Sequence, residues 1–327
     1  MISVLSLAIV SAALVGATAQ TPSPSIADLP EAPMALATGP WREEAELIAP
    51  RAGLGATVLD DLIYSAGGAG LVEPRADFEV FDPLSSNWRP LSAVPVGVEG
   101  FGITAWRDRI WLAGGYTSET RAEPSDQVWS YDPQMDVWQS ETPLAGPKAS
   151  FALVAVMDRL VALGGEHGFE DLMVYDPASV EWSARAAPDE TRRRGAAAVV
   201  LNDEIWLIGG VRDGLSSARV DIYDPESDDW REGPALPQPR AGHSAAIVNG
   251  ELHVFGGRSA DMRTTLDEHW VLTDGRWVPQ AAMPVPRTEA AIAVLGGEVW
   301  LIGGGAGSGF FAPFTAVDSV DVYTPQQ

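Results

Sequence analysis

Six glycine pairs recur along the chain, opening at Gly67, Gly114, Gly164, Gly209, Gly256 and Gly303, 45 to 50 residues apart. A tryptophan keeps step with them at Trp41, Trp88, Trp138, Trp182, Trp230 and Trp277. Each lies 26 residues before the next pair, except Trp182, which lies 27 before. The interval from a pair to the following tryptophan varies from 18 to 24 residues, so length variation is confined to the segment just after the glycines. A period of this length marks a unit that cannot bury its own apolar face and must pack against copies of itself.

Each copy reads as four short strands, a to d. Strand a is small and apolar, as in His243–Val248. A two-residue turn follows: Asp60-Asp61, Arg107-Asp108, Met157-Asp158, Asn202-Asp203, Asn249-Gly250 and Gly296-Gly297. Most of these pairs tolerate the positive φ that a tight hairpin requires. Strand b is strongly apolar and ends at the glycines. Strand c alternates and ends in an aromatic-Asp-Pro turn at Phe81-Asp82-Pro83, Tyr131-Asp132-Pro133, Tyr175-Asp176-Pro177 and Tyr223-Asp224-Pro225. Strand d begins near the tryptophan. No helix-period segment of useful length follows residue 45, so the chain is all-β.

The double glycine, the aromatic-Asp-Pro turn and the spaced tryptophan resemble the kelch repeat, over residues 39–325. Blade five departs from the pattern with Thr273-Asp274-Gly275, and blade six stops at Tyr323-Thr324-Pro325. Six such repeats imply a six-bladed β-propeller of four-stranded antiparallel blades. The ends of the chain point to the same closure. The sixth copy lacks a strand d, and an orphan strand d carrying Trp41 stands at Gly39–Glu44. Pairing the two as the outer strand of the last blade removes two exposed sheet edges. The expected organisation is a signal segment at 1–19, a proline-rich linker at 20–38 and a propeller over 39–327.

Residues 1–19 contain no charged side chain, and the apolar run Ile2–Val15 ends in Ala17-Thr18-Ala19. It reads as a secretory signal cleaved near Ala19, although the usual basic start is missing. A periplasmic or secreted protein follows, with no membrane span in the mature chain; a retained anchor is the other reading. A formal charge of −24, with Lys148 the single lysine, argues against nucleic acid as a general partner. The absence of cysteine excludes disulfides and thiolate metal sites. It also excludes the copper chemistry of galactose oxidase-like kelch enzymes, which needs a cysteine cross-linked to tyrosine. His167, His243, His253 and His269 lack metal-ligand spacing, and His253 matches Trp111, Trp206 and Trp300, which favours core packing. No metal or cofactor is expected.

In an antiparallel hairpin the start of strand a lies beside the end of strand b. The b–c and d–a connections therefore share one face, and the variable b–c loops make it the expected working face. Sixteen residues before each glycine pair stand Arg51, Val98, Lys148, Arg193, Arg240 and Arg287. The five cations suit either an electropositive socket for an anionic group or a structural tie between blades. Two residues further on stand Gly53, Gly100, Ser150, Gly195, Gly242 and Glu289. Glu289 breaks that small-residue pattern, as a general acid or base or as a counter-charge to the ring. Glu99, beside Val98, is a second carboxylate on the same argument.

Among the b–c loops, Glu166 and His167 form a proton-transfer pair or a solvated surface. Arg212 and Arg258 extend the basic socket. Phe310, Phe311 and Phe314 cap a ligand, dock a partner or close the seam with blade one. The resulting expectation is an exported monomer that binds a protein or an anionic glycan across the b–c face, without catalysis. The alternative is a cofactor-independent mutarotase. The chain is similar in blade number, exported character and composition to the bacterial N-acetylneuraminate epimerase (sialic acid mutarotase) group of kelch proteins. That resemblance implies an acid and a base beside a held carboxylate, roles open to Glu289 or Glu166 within the cationic ring.

Overall fold

A computed structural model describes residues 39–69, 73–118, 120–166, 172–307 and 315–326 of the chain. The expected signal segment and the linker lie outside the described residues. Blade one comprises Gly55–Leu59, Leu62–Ala66, Phe78–Asp82 and Asn87–Pro90. Blade two comprises Gly102–Trp106, Arg109–Ala113, Val128–Asp132 and Val137–Ser140. Blade three, with longer inner strands, comprises Ala149–Val156, Arg159–Glu166, Leu172–Asp176 and Glu181–Arg185. Blade four comprises Ala197–Leu201, Glu204–Ile208, Val220–Asp224 and Asp229–Glu232. Blade five comprises Ser244–Val248, Glu251–Phe255, His269–Thr273 and Arg276–Pro279.

Blade six takes three strands from the end of the chain, Ala291–Leu295, Glu298–Ile302 and Val320–Tyr323, and its outer strand from the start, Trp41–Glu44. The outer strand is antiparallel to its neighbour, with Trp41 opposite Tyr323 and Glu44 opposite Val320. Arg42 adds a bidentate pair to Glu298, both bonds 2.6 Å. The result is an all-β ring of six four-stranded antiparallel sheets.

Local chemistry explains the turns. Both residues of every a–b turn have positive φ, from 47° at Met157 to 83° at Gly250, which matches the right-handed twist of the flanking strands. The Asp of each aromatic-Asp-Pro turn accepts a hydrogen bond from the amide two residues on, as in Leu84 N to Asp82 Oδ1 at 2.8 Å and Glu226 N to Asp224 Oδ1 at 2.9 Å. In blade five the sequence Asp274-Gly275 makes a two-residue turn instead, again with both φ positive.

Six apolar clusters fill the six interfaces between neighbouring blades. The regular tryptophans span these interfaces rather than sinking into them. Trp88 Nε1 donates to Ala45 O at 2.8 Å, Trp138 Nε1 to Ser92 O at 2.9 Å and Trp182 Nε1 to Thr142 O at 3.1 Å. Trp277 Nε1 reaches Pro234 O at 3.0 Å, and Trp41 Nε1 reaches Ala281 O at 3.2 Å. Each acceptor stands four residues after the tryptophan of the preceding blade. Most of these indoles are half-buried, because the ring lies on the apolar interface while its N–H reaches the rim. No helix among the described residues is long and apolar enough to cross a membrane.

Candidate functional site

The cationic ring lies behind the wall of the axial mouth. Arg51, Lys148, Arg193, Arg240 and Arg287 are each no more than 2% exposed. Each arginine donates to the carbonyl of the first glycine of its own blade's pair, 16 residues on: Arg51 to Gly67 at 2.8 Å, Arg240 to Gly256 at 3.0 Å, Arg287 to Gly303 at 3.0 Å, and Arg193 to Gly209. Each also meets a carboxylate on or beside strand c: Glu79, Asp221, Glu268 and Asp321 respectively for Arg51, Arg193, Arg240 and Arg287. Burial lowers the pKa of all four guanidiniums against the pull of these carboxylates, and burial raises that of Glu79 and Asp321.

This placement corrects the expectation of an open electropositive socket. The four guanidiniums are spent on tying strand a to strands b and c within one blade. The strand-c carboxylates were a signal left unread in the sequence. Blade two, where Val98 replaces the cation, has Trp129 opposite Leu112, the register at which blade one has Glu79 and blade four Asp221. Blade two thus lacks both cation and carboxylate, whereas blade three keeps Lys148 with Met173 at that register.

The residues two positions on from the cations do line the axis. Gly53, Gly100, Ser150, Gly195, Gly242 and Glu289 border one cavity of about 150 Å³. Their backbones form a closed cycle of hydrogen bonds. Gly100 N donates to Gly53 O at 3.1 Å, Ser150 N to Gly100 O at 2.7 Å and Gly195 N to Ser150 O at 2.9 Å. Gly242 N then donates to Gly195 O at 2.8 Å, Glu289 N to Gly242 O at 2.7 Å, and Gly53 N to Glu289 O at 2.9 Å. Every member is left-handed, with φ between 53° and 64°. That conformation, more than crowding at the axis, explains the four glycines. Ser150, φ 53°, and Glu289, φ 54°, occupy it at a cost.

Above this cycle stand Glu99, Arg121 and Glu289. Arg121 comes from the b–c loop of blade two and grips Glu99 through two hydrogen bonds of 2.7 Å each. Glu99 is 4% exposed at its side chain and Arg121 41%. The bond to Glu99 raises the pKa of Arg121 against its burial, and the nearby charge of Glu289 adds to the rise. A Cβ built on Gly53 would lie 3.7 Å from Glu289 Oε2 and 3.9 Å from Glu99 Oε2, so the two carboxylates flank one point of the cavity. Among the described residues, the Glu289 carboxylate makes no hydrogen bond or ion pair. His243 borders the same cavity; it is 6% exposed, both ring nitrogens are buried, and neither has a partner among the described residues. Burial lowers its pKa to about 3, helped by the charges of Arg240 and Arg193, so the imidazole is neutral.

The d–a segments and the b–c loops do share one face. Bridges join Ala52 to Ala69, Glu99 to Tyr116, Arg194 to Val211, Ala241 to Arg258 and Thr288 to Gly305. Arg212 sits in a small extra hairpin, Val211–Arg212 with Leu215–Ser216, beside Asp213 at 3.5 Å. Arg258 is half-buried in the blade-five bridge to Thr265. Neither arginine borders the axial cavity. Glu166 closes strand b of blade three opposite Ala149. His167, Phe310, Phe311 and Phe314 lie outside the described residues. Arg121 and Tyr116 were missed in the sequence, because a b–c loop has no repeat register from which to place a side chain. No cluster of metal-binding side chains occurs among the described residues.

A family model described as the KLHDC2/KLHL20/DRC7 Kelch-repeats domain matches residues 150–324. Two further models, both described as Kelch motif, match residues 99–145 and 50–95. Kelch-like protein 23 of Homo sapiens is 27% identical over 192 residues, covering 58% of this chain and 34% of its own length. Kelch-like protein 26 of Danio rerio is 25% identical over 190 residues, covering 55% of this chain and 31% of its own. The chain thus spans about a third of the length of these curated relatives. A solved structure, "Structure of YjhT", is alike in fold, with a TM-score of 0.75 at 17% identity over 86% of this chain and 97% of that one.

Proposed function

This chain belongs to the kelch-repeat family, and on that premise we propose that it is an exported binding module. Its partner, a protein or a glycan, docks across the b–c face with the axial cavity as anchor. The observation that carries this reading is Glu289. A glutamate holds a left-handed position that four of its five counterparts fill with glycine, and its carboxylate has no hydrogen-bond or ion-pair partner among the described residues, in a cavity beside the Glu99–Arg121 pair. Strained backbone of this kind is typical of functional sites. The test is a thermal-shift screen against neutral, uronic, sialic and amino sugars, run on the wild-type protein, Arg121→Ala and Glu289→Gly. A ligand that stabilises the wild type and neither variant supports the cavity as anchor. A ligand whose effect both variants keep places binding elsewhere. Export predicts an isolated protein that starts at Gln20, which intact mass spectrometry reads directly.

A second reading, cofactor-independent mutarotation of a sugar, is favoured by the same cavity. Glu99 is committed to Arg121 while Glu289 is not, so one carboxylate is available for proton transfer next to a charge pair. Anomer exchange followed by NMR decides it. Exchange at the spontaneous rate in the presence of the protein rejects the enzyme.

A further inference from the structure

Building on the axial cavity as binding site, we infer that its ligand presents a primary ammonium group, with Glu289 as the counter-ion. The cavity's unfilled hydrogen-bonding capacity is mostly of the accepting kind. The Glu289 carboxylate is an acceptor, and its Oε2 stands over Gly53, where no side chain fills the space. The Ser150 hydroxyl also lines the cavity without a partner among the described residues. Both groups are half-buried at the cavity, and a ligand donor there would complete them.

The cations that would oppose this ligand are committed. Arg121 is clamped on Glu99, and the arginines of the ring donate within their own blades behind the wall. An ammonium carries three donors and no acceptor, which complements the set. A net charge of −24 adds a field that draws cations toward the protein. The ammonium could belong to an amino sugar or to a lysine side chain, and the chemistry at Glu289 is the same for both.

The experiment is calorimetric titration of the full chain with glucosamine and with a blocked Gly-Lys-Gly peptide, against N-acetylglucosamine and blocked Gly-Gln-Gly as uncharged controls. At least one amine is expected to bind at least tenfold more tightly than its control, and the stronger arm identifies the source. Glu289→Gln, which keeps the side-chain size and backbone strain, is expected to weaken that amine at least tenfold. Its circular dichroism and melting temperature should stay close to wild type, and Glu289→Asp should recover part of the affinity. Equal binding of amine and control, no binding of either amine, or unchanged binding by Glu289→Gln overturns the inference. If a neutral or anionic sugar instead stabilises the wild type in an Arg121- and Glu289-dependent way, the cavity remains the site and only the ammonium assignment falls. If a ligand binds indifferently to both variants, the site itself is elsewhere and both readings fail.

Discussion

The amide of Gly53 donates to the carbonyl of Glu289 at 2.9 Å, and through that bond the last blade rejoins the first at the axis. The bond is one of six running in a single rotational sense, so each carbonyl accepts from the next blade while its own amide donates to the previous one. Such cycles polarise one another and rigidify what they enclose.

Glu289 holds its place in the cycle at φ 54°. Glu289→Gly should relieve the left-handed strain and raise stability by about 1 kcal/mol, less whatever glycine adds to the entropy of the unfolded chain. Urea denaturation measures it; a lower midpoint in the variant would show that the Glu289 side chain stabilises the native ring. Gly242→Ala should do the opposite, since its Cβ would meet Thr288 Oγ1 at 2.6 Å.

The buried arginines lead to a different expectation. Arg193→Ala removes the Nη1 donor 2.6 Å from Asp221, leaving it only Arg219 at 2.7 Å, and removes the guanidinium donors to the carbonyls of Gly209 and Leu207. Removing one member of a buried pair costs about 3–5 kcal/mol. The variant should unfold at markedly lower denaturant yet, at a temperature where it remains folded, bind any cavity ligand as the wild type does. Loss of binding by folded Arg193→Ala would return the ring to the site.

Trp41 closes the ring at its outer edge. Its indole packs on Phe255, His269 and Tyr323, with centroids 5.9, 6.2 and 5.1 Å away. Trp41→Ala should cost about 3 kcal/mol through lost packing. Trp41→Phe should cost about 1 kcal/mol, the net worth of the bond to Ala281. Equal losses in the two variants would mean that the hydrogen bond, not the packing, holds the strand.

Three buried histidines make stability depend on pH. Burial lowers His253 to about 4 and His269 to about 3, and their rings share one hydrogen bond of 2.9 Å beneath Trp41. His243 is lowered to about 3. Since each native pKa lies below the ordinary value of 6.5, the unfolded chain binds more protons below that pH. The contribution of each neutral ring is whole above about 6.5 and is lost as pH falls toward 3–4, about 2 kcal/mol per histidine at pH 5. His243→Phe restores the residue type of Phe101 and Phe151 at the matching positions. Its melting temperature should fall less steeply between pH 7 and pH 5 than that of the wild type. Parallel curves would remove His243 from the account.

Repeat register carried the sequence reading as far as backbone regularity goes. Turns such as Asn202-Asp203, the kelch-type ring of six sheets and the seating of Trp41 in the last blade were all legible, because each follows from a pattern of small, apolar or turn-forming residues. The same register singled out Glu289. It could not choose between the two roles of Arg240, since a cation at a fixed offset looks the same whether it faces solvent or a buried carbonyl. The deciding facts were the partners, Gly256 O and Glu268, which lie 16 and 28 residues away and come together only through the sheet. Arg121 was invisible for the complementary reason: a side chain on a loop of irregular length is placed by contacts, not by period.

The outer strand of blade six has a consequence for the order of events in folding. Trp41–Glu44 is the first strand of the ring to be made, yet its sheet partner among the described residues is Val320–Tyr323, the last strand of the ring. Blades one to five can form locally as they are made, but the first strand must wait unpaired until its partner in blade six is made. The closing step is therefore long-range and late, and the first strand of the ring is the last to be seated.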